Sequence, residues 1–320
     1  MKIDRAVIEI NGGCNYSCQM CPQAKDANGK PGRHKDFLKK MSLDEFEDNV
    51  ADCAEHGLRV VNLDGSGEAT LNRNLPEYIQ IVKKYGCESV IFSNGYHMRG
   101  RFMMDCVDAG LNFFRFSIIG SNAEEYQQWM NSPNFDLIIQ HAKHMTAYAK
   151  KSGSDCKVGT YHLITDTKYQ EEQLNRYKAI VEDIGCLTEV WRMHNWSGVY
   201  KPLYERKGEK KTCGRPFSPD VVIRAGGLDG KRGAVAPCCQ VLGRDEEAVL
   251  GHTSENTIEE IWNGDAYSKL RDQHTSGDYP DYCRGCDFLI DDTEVLVYTN
   301  HGRSRYHMYG TEFTLNEYRK

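Results

Sequence analysis

The sequence predicts an α/β protein, an open, partial (β/α)6 barrel followed by a small cysteine-bearing module. Up to about residue 195, short β-branched runs alternate with longer amphipathic stretches about six times. Strand then helix, repeated, is the pattern of a parallel sheet with helical crossovers. The composition changes before eight full units have passed, so the barrel is expected to stay open.

The elements follow in order. Ala6–Ile10 reads as a buried strand, and a cysteine-bearing loop follows it. Ser42-Leu43-Asp44-Glu45 is a capping box that opens a helix to about Glu55, ended by Gly57. Leu58–Leu63 is the second strand. Leu75–Tyr85 is helical and closed by Gly86, and Ser89–Phe92 is the third strand. A helix near Gly100–Asp108 leads to the strand Phe113–Ile118. Lys157–Ile164 and Thr188–Met193 are further strands, with the helix Gln170–Ile184 between them. This divides the chain into a barrel at 1–195, a polar and mostly basic linker at 196–211, a second module at 212–288 and a tail at 289–320. Thr257–Gln273 is the longest periodic segment of the second module. The tail, rich in Tyr, His and Arg, receives no role.

The totals restrict the function. At 320 residues there is material for one large domain, or one large and one small, each with a core. A net charge of -6 argues against a sequence-independent nucleic-acid surface, which needs a basic excess to displace counterions. No apolar run reaches membrane-span length, and Met1-Lys2-Ile3-Asp4-Arg5 lacks the apolar stretch of a signal peptide. The expectation is a cytoplasmic protein with no nucleic-acid or membrane partner.

There are 13 cysteines, and in a cytoplasmic protein their uses are metal ligation and catalysis, not disulfides. Cys14, Cys18 and Cys21 place three thiolates within eight residues, able to converge without a distant partner. Thiolates select iron–sulfur or zinc sites, and both ordinarily take four protein ligands. No fourth Cys or His lies near, which leaves one position open for a substrate or cofactor. The plain alternatives are a zinc site finished by a distant His, or three structural cysteines. Cys213, Cys238, Cys239, Cys283 and Cys286 form a second set, C-x24-C-C-x43-C-x2-C. By chemistry alone it fits a structural zinc or another iron–sulfur cluster. Cys53, Cys87, Cys106, Cys156 and Cys186 read as small buried hydrophobes.

The run Cys14-Asn-Tyr-Ser-Cys18-Gln-Met-Cys21 resembles the hallmark of the radical SAM superfamily, C-x3-C-x2-C after the first barrel strand. The resemblance implies a 4Fe–4S cluster on these three thiolates, with S-adenosylmethionine on the open iron. Met20 stands where the family commonly has an aromatic or apolar residue near the adenine. Gly65-Ser66-Gly67-Glu68 resembles the glycine–glutamate motif, whose glycines admit the ligand to the backbone and whose carboxylate pairs with the methionine ammonium. Ser93-Asn94-Gly95 resembles a segment that contacts the ribose or methionine portion, and Ser117 matches a serine on the methionine carboxylate. Each of these alone also reads as a turn or strand-end polar residue; the case rests on their order after successive strands.

The second set resembles the auxiliary-cluster modules called SPASM and, in shorter form, twitch. Gly233-Ala-Val-Ala-Pro-Cys238 fits the opening spacing, and Tyr282-Cys283-Arg-Gly-Cys286 fits the closing pair. The resemblance implies Cys213, Cys238, Cys283 and Cys286 as ligands of one auxiliary 4Fe–4S cluster, with Cys238 chosen over Cys239. No cysteine follows Cys286, which favours the twitch-like form.

The implied chemistry is reductive cleavage of S-adenosylmethionine to a 5′-deoxyadenosyl radical that abstracts a substrate hydrogen atom. Net oxidation of a small polar metabolite, such as a sugar or aminocyclitol, is the expected outcome. Expected partners are that substrate, or a peptide, and an external one-electron reductant of flavodoxin or ferredoxin type. The chain starts at the first barrel strand, without a fused peptide-recognition domain, which leans toward the metabolite. A peptide-modifying enzyme that crosslinks or epimerises is the alternative, and a zinc-binding interaction protein a further one. Arg192 and His194 are the candidate catalytic residues, with Tyr161 and His162 also at late strand ends; Trp196 reads as packing.

Overall fold

Six strands pair in parallel in chain order: β1 (Arg5–Ile8), β2 (Val60–Asn62), β3 (Glu88–Ser93), β4 (Phe113–Ser117), β5 (Lys157–Ile164) and β6 (Leu187–Arg192). The computed structural model describes residues 1–26, 28–165, 168–290, 292 and 295–301. The crossovers carry α1 (Leu43–Glu55), α2 (Leu75–Lys84), α3 (Gly100–Asp108), α4 (Ala123–Met130), α5 (Phe135–Ser152) and α6 (Gln170–Ile184). Local chemistry sets their ends. Ser42 Oγ accepts from Glu45 N–H while the Glu45 carboxylate accepts from Ser42 N–H, which is the expected capping box. α5 and α6 stop at Gly153 and Gly185, both left-handed, as the C′ position prefers.

α4 and α5 fill the β4–β5 crossover, for which the sequence reading named no element. Their signals are ordinary. Asn122 caps α4, and buried Phe135, Ile138, Ala142, Met145 and Ala149 follow helical spacing along α5.

The C-terminal module continues the sheet. β7 (Asp220–Ile223) pairs in parallel with β1, from Arg5 against Asp220 to Ile8 against Ile223. β8 (Ala234–Ala236) and β9 (Gly251–His252) then add antiparallel strands. The helical segment expected at 257–273 is two helices broken at Gly264, α7 (Ile258–Asn263) and α8 (Asp265–Ser276), and α9 (Asp281–Arg284) follows. β10 (Leu296–Thr299) pairs antiparallel with β6, so part of the unassigned tail is an edge strand; residues 302–320 lie outside the described ones. The strand order is β10-β6-β5-β4-β3-β2-β1-β7-β8-β9, an open sheet and not a closed barrel.

Side-chain alternation gives this sheet two unlike faces. Ala6, Ile8, Val61, Ile91, Phe114 and Val190 pack into the main core with the helices. The opposite face has an apolar base at Val60, Val90 and Phe113. Above that base it carries Glu9, Asp64, Arg115, Tyr161 and Glu189, toward the strand C-termini where α/β ligand sites form.

Candidate active site between two cysteine sets

The cysteine loop leaves β1 through Glu9, and four buried charges fix it there. Arg33 Nη1 lies 3.1 Å from both Glu9 oxygens, and Arg33 Nε lies 3.2 Å from Asp245 Oδ2. Arg224, at the end of β7, approaches Glu9 at 3.7 Å and Asp245 at 3.4 Å. Ser66 and Ala225 donate backbone N–H groups to Glu9. Two guanidinium and two carboxylate groups thus join β1, the cysteine loop, the end of β2 and the C-terminal module. Such burial is tolerable because every charge is paired.

A second buried knot centres on Glu68. Its Oε1 accepts from Thr70 N–H (2.9 Å), Thr70 Oγ1 (2.6 Å) and Ser93 Oγ (2.7 Å), and its Oε2 accepts from Asn94 N–H (2.9 Å). Glu68 N–H donates to Gly13 O, and Asn94 Nδ2 donates to Asn15 Oδ1, so the residues flanking Cys14 are tied to the ends of β2 and β3. Gly67 permits this contact, because a Cβ there would stand 2.0 Å from Asn11 O and 2.6 Å from Gly13 O. Gly67, Glu68, Ser93 and Asn94, spread over 28 residues of sequence, therefore form one unit beside the loop.

Burial raises the Cys14 thiol to about 12, with the Glu68 and Cys21 charges adding to it. Cys18 is raised by burial, then by Cys21 and Cys14, and Cys21 by burial against opposing N–H groups and Arg33. The three thiols sense one another, so as thiolates they need a shared cationic partner. Among the described residues no three His, Cys, Asp or Glu gather closely enough to hold one metal ion. A mononuclear zinc needs its sulfurs about 2.3 Å from one point. Three mutually coupled thiols are the donor type that iron–sulfur and zinc centres both take.

Cys213, Cys238, Cys283 and Cys286 show the same coupling. Burial raises each, Cys238 to about 12; Cys213 and Cys238 reinforce the shifts of both Cys283 and Cys286. Arg215 is buried among Cys239, Cys238 and Cys213 and holds a compensating charge. Four coupled thiols fit a fully ligated auxiliary cluster.

A cavity of about 270 Å³ lies between the two sets. Cys18, Met20 and Cys21 line one end, and Cys239, Gln240, Trp196 and Phe288 line another part. Of the adjacent cysteines, Cys239 lines this cavity and Cys238 does not.

Gly65, Ser117, Arg192 and His194 also line the cavity, whereas Gly67, Glu68, Ser93 and Asn94, joined in the knot described above, are not among its lining residues. His194 is held neutral: burial, then Arg206 and Arg215, lower it to about 3. Its ring meets Trp196 at 4.3 Å between centroids. Arg192 donates to Gln170 Oε1 at 3.0 Å and covers the Tyr204 ring at 4.1 Å. Strand alternation separates Tyr161 from His162. Tyr161 lines the cavity, while His162 points to the helical side, stacked on Tyr177 at 4.1 Å.

Sequence reasoning did not single out Asp64, Arg115, Arg206 or Gln240, all of which line the cavity. Asp64 is raised to about 7 by burial, against hydrogen bonds from Asn62 and Phe92 N–H and the charge of Arg115. Arg115 pairs with Glu189 at 3.1 Å, two strands away, and lies over the Phe92 ring. Its lone charge in the aromatic strand Phe113–Ser117 was a usable signal. Arg206 offered none, since it sits in a charged stretch between exposed Glu205 and Lys207.

A sequence model of the radical SAM superfamily matches residues 8–175, and one of the SPASM iron–sulfur cluster-binding domain matches residues 230–287. A probable GTP 3′,8-cyclase of Methanococcus maripaludis is 28% identical over 131 residues, 41% of this chain and 41% of that protein. The match therefore spans about two fifths of the cyclase. The S-adenosyl-L-methionine-dependent 2-deoxy-scyllo-inosamine dehydrogenase of Niallia circulans is 19% identical over 291 residues, 90% of this chain and 94% of the dehydrogenase. Among solved structures, Streptococcus suis SuiB bound to precursor peptide SuiA shares the fold at a TM-score of 0.62 and 14% identity, over 84% of this chain and 67% of that one.

Proposed function

The chain belongs to the radical SAM superfamily, and from that premise we propose that it oxidises a small polar metabolite held between two iron–sulfur clusters. The family carries a 4Fe–4S cluster and S-adenosylmethionine, and the SPASM domain carries auxiliary iron–sulfur ligation. One observation supports the reading above others: a single cavity runs from Cys18, Met20 and Cys21 to Cys239 and Gln240, beside the auxiliary cysteines.

In this reading residues 1–195 form the part that handles S-adenosylmethionine, 196–211 link it onward, and 212–288 form the auxiliary-cluster module. Cys14, Cys18 and Cys21 would hold the first cluster, and Cys213, Cys238, Cys283 and Cys286 the auxiliary one. When bound, these clusters supply the electron that cleaves S-adenosylmethionine to a hydrogen-abstracting 5′-deoxyadenosyl radical, and an acceptor for the electron the substrate gives up. Over one turnover, S-adenosylmethionine and a secondary alcohol become methionine, 5′-deoxyadenosine, a ketone and a proton, with the starting electron returned. An external one-electron carrier of flavodoxin or ferredoxin type would prime the cycle.

The chain's own residues supply orientation, water exclusion and a proton acceptor. Met20 offers an apolar contact for the adenine, Gly65 lines the cavity, and Gly67 lets the cysteine loop close against the end of β2. Among the described residues Glu68 Oε2 accepts one hydrogen bond, from Asn94 N–H, and keeps capacity for an ammonium donor. Ser93, Asn94 and Ser117 complete the polar side of that site. Asp64 is the group suited to take the released proton, because its pKa of about 7 matches neutral conditions better than His194 at about 3. Arg192 and His194 act as substrate contacts.

Similarity to the dehydrogenase along 90% of the chain supports oxidation of a metabolite. Fold likeness to SuiB, solved with a peptide, supports peptide modification as the second reading. The test is anaerobic reconstitution, then 5′-deoxyadenosine assay with dithionite, S-adenosylmethionine and a panel of sugars, aminocyclitols and peptides. Oxidation predicts a product two hydrogens lighter, formed one-to-one with 5′-deoxyadenosine. A peptide product would establish the second reading; zinc without iron, and no cofactor cleavage, would return the zinc-binding one.

A further inference from the structure

Arg206 is the cavity residue whose chemistry is least satisfied by the protein. Its side chain is 3% exposed. The guanidinium carbon lies 4.4 Å from the Phe288 ring centroid, which fixes its plane. Nε stands 3.4 Å from Asp287 Oδ2 without hydrogen-bonding geometry, and buried Nη1 has no hydrogen-bond partner among the described residues. Asp287 Oδ2 is engaged elsewhere, accepting from Asn195 N–H at 2.9 Å. Arg206 lines the cavity together with Tyr161 and His194.

A buried guanidinium with an idle N–H carries an uncompensated desolvation cost until an acceptor arrives. Water or a hydroxyl gives the weak form of that bond. A carboxylate or phosphate gives the charge-assisted form, about twice as strong, and matches the planar fork. The walls beside it, Phe288, Trp196 and Tyr161, are aromatic and lower the local dielectric.

We propose that Arg206 anchors an acidic group of the substrate, so that the metabolite is a carboxylate- or phosphate-bearing polyol and not a neutral or cationic one. The inference deepens the oxidation reading and rests on its placing of the substrate in this cavity. Arg206 would hold the acid end beside the C-terminal module and present the rest of the molecule toward Cys18 and Met20.

Trp191 and Trp196 line the same cavity, so tryptophan fluorescence reports its occupancy. The reconstituted protein, loaded with S-adenosylmethionine and unreduced, is titrated with glucose, glucosamine, glucuronate and glucose 6-phosphate. At least one acid should bind about tenfold or more tighter than glucose and glucosamine, the scale of one charge-assisted hydrogen bond. Which acid wins separates carboxylate from phosphate. Arg206→Gln should erase the preference, and Arg206→Lys should keep part of it. Equal or better binding of glucose or glucosamine, or no response to either acid, overturns the proposal. So does an acid preference that survives in Arg206→Gln. Should that variant lose its fold by circular dichroism, the wild-type comparison and Arg206→Lys still decide. Because no turnover is involved, failure here is distinct from failure to cleave S-adenosylmethionine, which would count against the oxidation reading itself.

Discussion

The four-charge network under the cysteine loop makes a quantitative prediction through Glu9→Gln. Glu9 and Arg33 have side chains 1% and 0% exposed, so neither charge is answered by solvent. The wild-type set is neutral, with Glu9 and Asp245 against Arg33 and Arg224. Replacing Glu9 by Gln leaves one net positive charge buried and turns an NH2 group toward the guanidinium groups and N–H donors that Glu9 now satisfies. Removing one partner of a buried pair costs about 3–5 kcal/mol. Unfolding entropy near 2.1 cal/mol/K per residue, over 320 residues, is roughly 0.7 kcal/mol/K. The apparent melting midpoint should therefore fall by about 4–7 °C, followed by circular dichroism on the anaerobic protein. The double variant Glu9→Gln/Arg33→Gln restores neutrality and should cost less than the sum of its single variants. Single-variant shifts under about 1 °C, or strict additivity, would refute the claim that these charges act as one buried unit.

Other expectations concern the two cysteine sets and the cavity. Gly67→Ala drives a Cβ into two backbone carbonyls that cannot rotate away, so it should cost roughly 1–3 kcal/mol in urea unfolding and depress 5′-deoxyadenosine formation. Cys238→Ala should lose the auxiliary iron by chemical analysis, whereas Cys239→Ala, altered on the cavity wall, should keep it. Asp64 has its folded pKa raised by burial above the ordinary carboxylate value, to about 7. Between about pH 4 and pH 7 the folded state therefore holds the extra proton, and stability falls as pH rises. Asp64→Asn should remove that slope in urea midpoints measured across the window, with no further divergence above it.

The local chemistry of both halves was legible because it is written in short spacings. The capping box at Ser42, the run Cys14–Cys21 and the closing pair Cys283 and Cys286 each depend on residues within a turn or two. What stayed hidden depends on distant pairing. Asp245 is 212 residues from Arg33, and nothing near either one announces the partner. The parallel pairing of β7 with β1 is likewise invisible in the four residues Asp220–Ile223, which read only as a short apolar run. Arg206 illustrates the same limit at the site. Its neighbours Glu205 and Lys207 are exposed, as the basic linker reading implies, yet its own side chain turns inward onto Phe288. The helices α4 and α5 are a different case, since the Asn122 cap and the spacing of Ile138, Ala142, Met145 and Ala149 were readable.

The central claim is that two separate cysteine sets hold two clusters and that only the first cleaves S-adenosylmethionine. Iron and sulfide per chain, measured after anaerobic reconstitution, test it most directly when paired with 5′-deoxyadenosine assays. Wild type should hold about eight of each, as two 4Fe–4S clusters require, and Cys14→Ala/Cys18→Ala/Cys21→Ala should hold about four and form no 5′-deoxyadenosine. Full iron in that triple variant, or continued cofactor cleavage, would contradict the account.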